Sequence, residues 1–182
     1  MIKTHSTQII YKWLEAKPEH ESIELLNWLS RDVGWAKVVV HGPESLANNN
    51  TKILLSRRVV SHQFEIDGVV MGDTADNSVL CFDKEGQLFT NKDTILYTWI
   101  EPEEETTESG IVLVKKTATK EFETRWAEVK VAPLDTPIKV GDHILLKYKH
   151  DAYAIENIIP GVKLHNAGWR EEVIAYYTPE KQ

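Results

Sequence analysis

Residues Glu101 to Lys120 read EPEEETTESGIVLVKKTATK. Glutamates at 101, 103, 104, 105 and 108, with threonines between them, lead into Gly110-Ile111-Val112-Leu113, and Lys115-Lys116 follow. The acidic and hydroxylated residues keep the stretch soluble, Gly110 loosens its backbone, and the apolar tripeptide is a compact anchor. Two readings follow. The tripeptide is an ordinary buried strand approached by a solvated acidic run, or it is held out for a partner to bind.

The sequence on either side is rich in strands. Downstream, Thr94–Ile100, Trp126–Val131, His143–Tyr148, Tyr153–Ile159 and Val173–Tyr177 are β-prone runs separated by Gly and Pro turns such as Val140-Gly141-Asp142, which predicts a small barrel or sandwich. Upstream, Ala36–Val40, Lys52–His62, Phe64–Met71 around Asp67-Gly68, and the pair Ser78–Phe82 and Gln87–Thr90 predict an antiparallel meander. Ahead of it, Ile9, Ile10, Trp13 and Leu14 fall at i, i+1, i+4 and i+5, a helical stripe. Pro18 suits the first turn of a second helix, followed by Ile23, Leu25, Leu26, Trp28 and Leu29 and a stop at Gly34. The expected fold is therefore mainly β with an N-terminal helical hairpin. An α+β domain spans 1–91 and a β-barrel domain 92–182, with no internal repeat of 20 to 50 residues.

The second half resembles the GroES-type co-chaperonins over residues 91–178. Asp93-Thr94-Ile95-Leu96 is similar to the family's first barrel strand, and Ser109-Gly110-Ile111-Val112-Leu113 to its Gly-Gly-Ile-Val-Leu. Ala127-Glu128-Val129-Lys130-Val131 resembles its Gly-Glu-Val strand, Ile138–Leu146 its Val-Gly-Asp turn and following strand, and Glu171–Ala175 its closing strand. Thr94 and Ala127 depart from the family's Arg and Gly. The acidic lead-in and the short connection between Val131 and Val140 are closest to the co-chaperonins of large tailed bacteriophages. The resemblance implies a GroES-like β-barrel, a sevenfold ring, and a mobile loop whose Gly110, Ile111, Val112 and Leu113 dock on a chaperonin ring in the host cytoplasm. Phages also reuse small barrels as structural parts. A virion head, neck or tail protein contacting neighbouring virion proteins is the alternative reading.

Other classes are disfavoured. A net charge of −7 argues against nucleic acid. No apolar run is long enough to span a membrane, and the N-terminal MIKTHSTQIIYKWLEAK lacks the apolar core of a signal peptide. The one cysteine, Cys81, permits no internal disulfide and sits in an apolar strand. The seven histidines are scattered without metal-ligand spacing, and the acidic run lacks the alternating oxygen ligands of a calcium loop. No nucleophile elbow, phosphate loop or dinucleotide fingerprint occurs. The expectation is a binding protein, with no enzymatic activity, cofactor or metal. Among the tryptophans, Trp13 and Trp28 are expected in the core and Trp169 at the surface.

Overall fold

The computed structural model describes residues 3–14, 33–56, 62–100, 104–106, 112–114, 124–147, 154–156 and 158–180. The first sheet is formed by β1 (Gln8–Trp13), β2 (Val33–His41), β3 (Thr51–Ser56), β4 (Gln63–Ile66), β5 (Val69–Ala75), β6 (Cys81–Lys84) and β7 (Gln87–Phe89). They lie in the order β4-β5-β1-β2-β3-β6-β7, with every neighbouring pair antiparallel. Two tight turns need positive φ and carry the residues that tolerate it. Asp67-Gly68 joins β4 to β5, and Glu85-Gly86 joins β6 to β7.

The helical hairpin is not there. Its first helix is β1, and its expected stop, Gly34, lies inside β2; the rest of the second helix falls outside the described residues. Among the described residues the N-terminal half is an antiparallel sheet, and no helix of the expected hairpin is among them. β1 is an interior strand of that sheet and carries apolar residues on both faces: Ile9 and Tyr11 face one way, Ile10 the other, and all three are buried. A strand apolar on both faces loses its period-two signature. What remained, apolar residues at positions 9, 10, 13 and 14, mimicked a helical stripe.

The second sheet is formed by β8 (Thr94–Trp99), β11 (Thr124–Val131), β12 (His143–Lys147), β13 (His165–Gly168) and β14 (Val173–Tyr177). Its order is β13-β8-β11-β12-β14, again antiparallel throughout. It curls into a half-barrel and keeps two edges, β13 and β14. A single helical turn, Trp169–Glu172 (α1), links those edge strands. The Val-Gly-Asp turn that feeds β12 is built by its aspartate. Asp142 is buried and accepts the Lys139 amide (2.8 Å) and the Thr178 hydroxyl (2.7 Å), while Gly141 takes φ 91°. Between β8 and β11, β9 (Glu104–Thr106) and β10 (Val112–Val114) form a separate two-stranded ribbon.

The two sheets are copies of one module. In chain order and in pairing, β1, β2, β3, β5 and β6 correspond to β8, β11, β12, β13 and β14; β4 and β7 are additions at the edges of the first sheet. The registers agree residue for residue. Trp13 pairs with Ala36 and Tyr11 with Val38, as Trp99 pairs with Ala127 and Tyr97 with Val129. Both pairs then skip one residue, Val39 and Lys130, so that Ile10 meets Val40 and Leu96 meets Val131. Trp35 pairs with Leu54 as Trp126 pairs with Leu145. The sequences agree at the same places: Ile-Ile-Tyr-Lys-Trp (9–13) with Ile-Leu-Tyr-Thr-Trp (95–99), Trp-Ala-Lys-Val-Val-Val (35–40) with Trp-Ala-Glu-Val-Lys-Val (126–131), and Ile-Leu-Leu (53–55) with Ile-Leu-Leu (144–146). The last two pairs are each 91 positions apart (126 − 35 and 144 − 53).

Each module curls around its own core. Ile9, Tyr11, Ala36, Val38, Ile53 and Leu55 in the first match Ile95, Tyr97, Ala127, Val129, Ile144 and Leu146 in the second. Even the edge-to-face ring pairs recur, Tyr11 with Trp13 (centroids 5.3 Å apart) and Tyr97 with Trp99 (5.0 Å). A third core joins the modules: Leu54 and Cys81 from the first, Leu96, Val131, Ile155, Ile158 and Leu164 from the second. One close approach braces the first module. The Gly42 amide donates to the Gln8 carbonyl (2.8 Å), and a Cβ at position 42 would lie 2.1 Å from the Ser6 carbonyl oxygen. Backbone cannot swing aside as a side chain can, so Gly42→Ala should cost about 1–3 kcal/mol, read as a lower urea midpoint.

Candidate partner-binding site

The candidate segment is an insertion between two adjacent strands. β8 ends at Trp99, and the Ile100 amide donates to the Trp126 carbonyl (3.1 Å), closing the base before the chain leaves the sheet. Val112 pairs with Thr106, Leu113 with Glu105 and Val114 with Glu104. Among the described residues this ribbon pairs with neither larger sheet. Of the predicted site residues, Val112 and Leu113 are therefore strand residues in β10, while Gly110 and Ile111 lie outside the described residues. Glu104 and Glu105 of the acidic run are in β9, and Glu101, Glu103 and Glu108 lie outside as well.

The first module has an insertion at the same point. The Leu14 amide donates to the Trp35 carbonyl (3.0 Å), as Ile100 does to Trp126. The sequence inserted there is also acid-led, with Glu19 and Glu21 ahead of Ile23, Leu25 and Leu26.

The remaining sequence-flagged groups have structural occupations. Cys81 is buried in the core between the modules. Burial pushes its thiol up from 9.0 to about 12, with the Asp83 carboxylate adding to the shift. A thiol held protonated is a poor nucleophile, so a disulfide reagent at pH 8 should label Cys81 only after denaturant is added. Burial likewise raises Tyr97 from 10.0 to about 12. Both groups keep their protons in the folded chain at pH values where the unfolded chain releases them. Stability is then fully present below about pH 9 and falls as pH rises towards about 12; urea midpoints measured across that window check the sign.

His143 Nδ1 lies 2.9 Å from the Tyr177 hydroxyl, and the His165 ring lies against Tyr97 and Trp99. Among the described residues no group of three or more His, Cys, Asp or Glu side chains is placed to hold a metal, and no helix is long and apolar enough to cross a membrane. A cleft at the seam of the modules is lined by Lys92, Asp135 and Arg170 together with Thr90 and Thr136. Both hydroxyls are engaged, donating to the backbone carbonyls of Thr94 and Ile138.

Sequence reasoning missed an apolar face on the second module. Trp126 is 40% exposed, whereas Trp169, expected at the surface, packs half-buried on the module core and donates its indole N–H to the Lys92 carbonyl (2.8 Å). Trp28 lies outside the described residues. Trp126 meets the Tyr177 ring edge-to-face at 5.2 Å, and Tyr177 is itself 48% exposed. The signal was in the sequence, as the repeat that makes Trp126 the counterpart of Trp35.

No protein-family model matches the chain, and no curated protein matches it significantly. What the geometry defines is a β-protein of two packed, equivalent modules, each with an insertion between its first two strands.

Proposed function

We infer that the chain is a phage-type co-chaperonin, a cap that docks on a chaperonin ring through Gly110, Ile111, Val112 and Leu113 and assists the folding of capsid proteins in the host cytoplasm. The observation that carries this reading is the position of Val112-Leu113: a ribbon inserted between β8 and β11 and joined to neither sheet. It gains support from the order of the resembling segments, which reach β8, β11, β12 and β14 of one sheet, with Val112-Leu113 in the β10 ribbon between β8 and β11. Such a contact is weak for one copy, because ordering the segment offsets part of the apolar gain. Several copies engaging one ring together raise it by avidity. The mechanism is binding and encapsulation, with hydrolysis left to the chaperonin.

Immobilised chaperonin incubated with the chain, with and without ATP, tests this. Nucleotide-dependent retention is expected; no retention in either state overturns the reading. A second reading, a virion structural part, is favoured by the backbone pairing of Val112–Val114 with Glu104–Thr106 and by the exposed apolar face around Trp126. That reading predicts retention by purified virion proteins and none by chaperonin.

A further inference from the structure

The contact between the modules is not symmetric. The first module contributes its β2-β3-β6 face, where Trp35 pairs with Leu54 and Leu54 with Cys81. The second contributes a different face, with Leu96, Val131, Ile155 and Leu164. Because the modules are equivalent, each surface has a counterpart elsewhere in the chain that the internal contact does not use.

On the second module, the counterpart of Trp35, Leu54 and Cys81 is the row Trp126, Leu145 and Ala175, paired in the same order across β11, β12 and β14. Leu54 and Cys81 are fully buried; Trp126 and Ala175 are exposed and Leu145 is half-buried. On the first module, Ile10 and Val40 are the counterparts of Leu96 and Val131. Met71 precedes the β5 partner of Tyr11 as Leu164 precedes the β13 partner of Tyr97, and Phe64 pairs with Met71 as Ile155 bridges to Leu164. Ile10 is buried beneath this face, and Val40, Phe64 and Met71 are half-buried on it.

We propose that the Trp126–Leu145–Ala175 face of one chain receives the Val40–Phe64–Met71 face of a second copy of the same chain, repeating between chains the contact that joins the modules within one. The occupant follows from the repeat: the chain already holds the complementary surface and already uses its counterpart. A head-to-tail contact of this kind leaves one face of each sort free at the ends, so it propagates into a ring or a filament. The inference stands whichever partner the β9–β10 ribbon binds.

Sedimentation velocity of the full chain over a range of concentrations tests it. The wild type is expected to sediment as an oligomer. Leu145→Glu removes one face and Met71→Glu the other, so each variant alone should fall to the 20.8 kDa monomer. Mixed in equal amounts, they should form a heterodimer of about twice that mass and nothing larger, because each supplies the face the other lacks. Leu145→Ser and Met71→Ser give the same comparison if a glutamate variant fails to fold, which circular dichroism reads. A monomeric wild type at every concentration, oligomers that survive either substitution, or a mixture that stays monomeric overturns the proposal.

Discussion

Leu54→Ala should destabilise the chain by about 2–5 kcal/mol, and Leu145→Ala, at the equivalent position of the other module, by under about 1 kcal/mol in the monomer. The two leucines share sequence context, Ile-Leu-Leu, and share register, opposite Trp35 and Trp126 respectively. They differ in what covers them. Leu54 is fully buried in the core between the modules, with Cys81, Leu96 and Val131, whereas Leu145 is half-buried on the open face. Truncating Leu54 removes its transfer free energy and leaves a cavity that packed sheets close only in part. Truncating Leu145 leaves a dent that water fills. Urea unfolding of both variants at a concentration low enough to keep the chain monomeric makes the comparison. Equal costs would mean that the modules do not pack as described.

The second large effect concerns the ribbon. Ile111→Asp with Leu113→Asp should remove chaperonin retention altogether, while the urea midpoint stays near that of the wild type. Each apolar side chain returns about 1.5–3 kcal/mol on full burial. Losing two therefore costs about 3–6 kcal/mol per docked copy, about 10²- to 10⁴-fold in affinity. A carboxylate forced into an apolar groove adds a desolvation penalty, and avidity multiplies the loss across copies. Stability should change little because the ribbon belongs to neither sheet. Retention of the double variant at wild-type strength would exclude the tripeptide as the contact.

The strands of this fold were largely legible in the sequence. β14 runs over Val173–Tyr177 as the β-branched and aromatic run predicts, and the Asp67-Gly68 and Glu85-Gly86 turns fall where short polar pairs interrupt apolar runs. β1 was not legible, because period-two patterning vanishes when a strand carries apolar residues on both faces. The duplication escaped for a different reason. Its period is near 91 residues, longer than a solenoid repeat, and the matching words are only three to six residues long. Each is short enough to arise by chance. They gain weight when strand pairing shows that they occupy the same register around the same skipped residue. The position of the candidate segment could be anticipated from its neighbours. The exposed face at Trp126 could not, since a tryptophan in a strand gives no sign of which face is covered until the partner sheet is known.

The equivalence of the two modules is the claim on which the fold, the exposed face and the assembly all depend. Residue-resolved amide hydrogen exchange tests it most directly. Protection should be matched at paired positions, with Ile9–Trp13 as slow as Ile95–Trp99 and Trp35–Val38 as slow as Trp126–Val129, since each strand concerned has a paired neighbour on both sides. Rapid exchange across residues 9–13, or a helical pattern of short amide–amide distances there, beside slow exchange at 95–99 would contradict it.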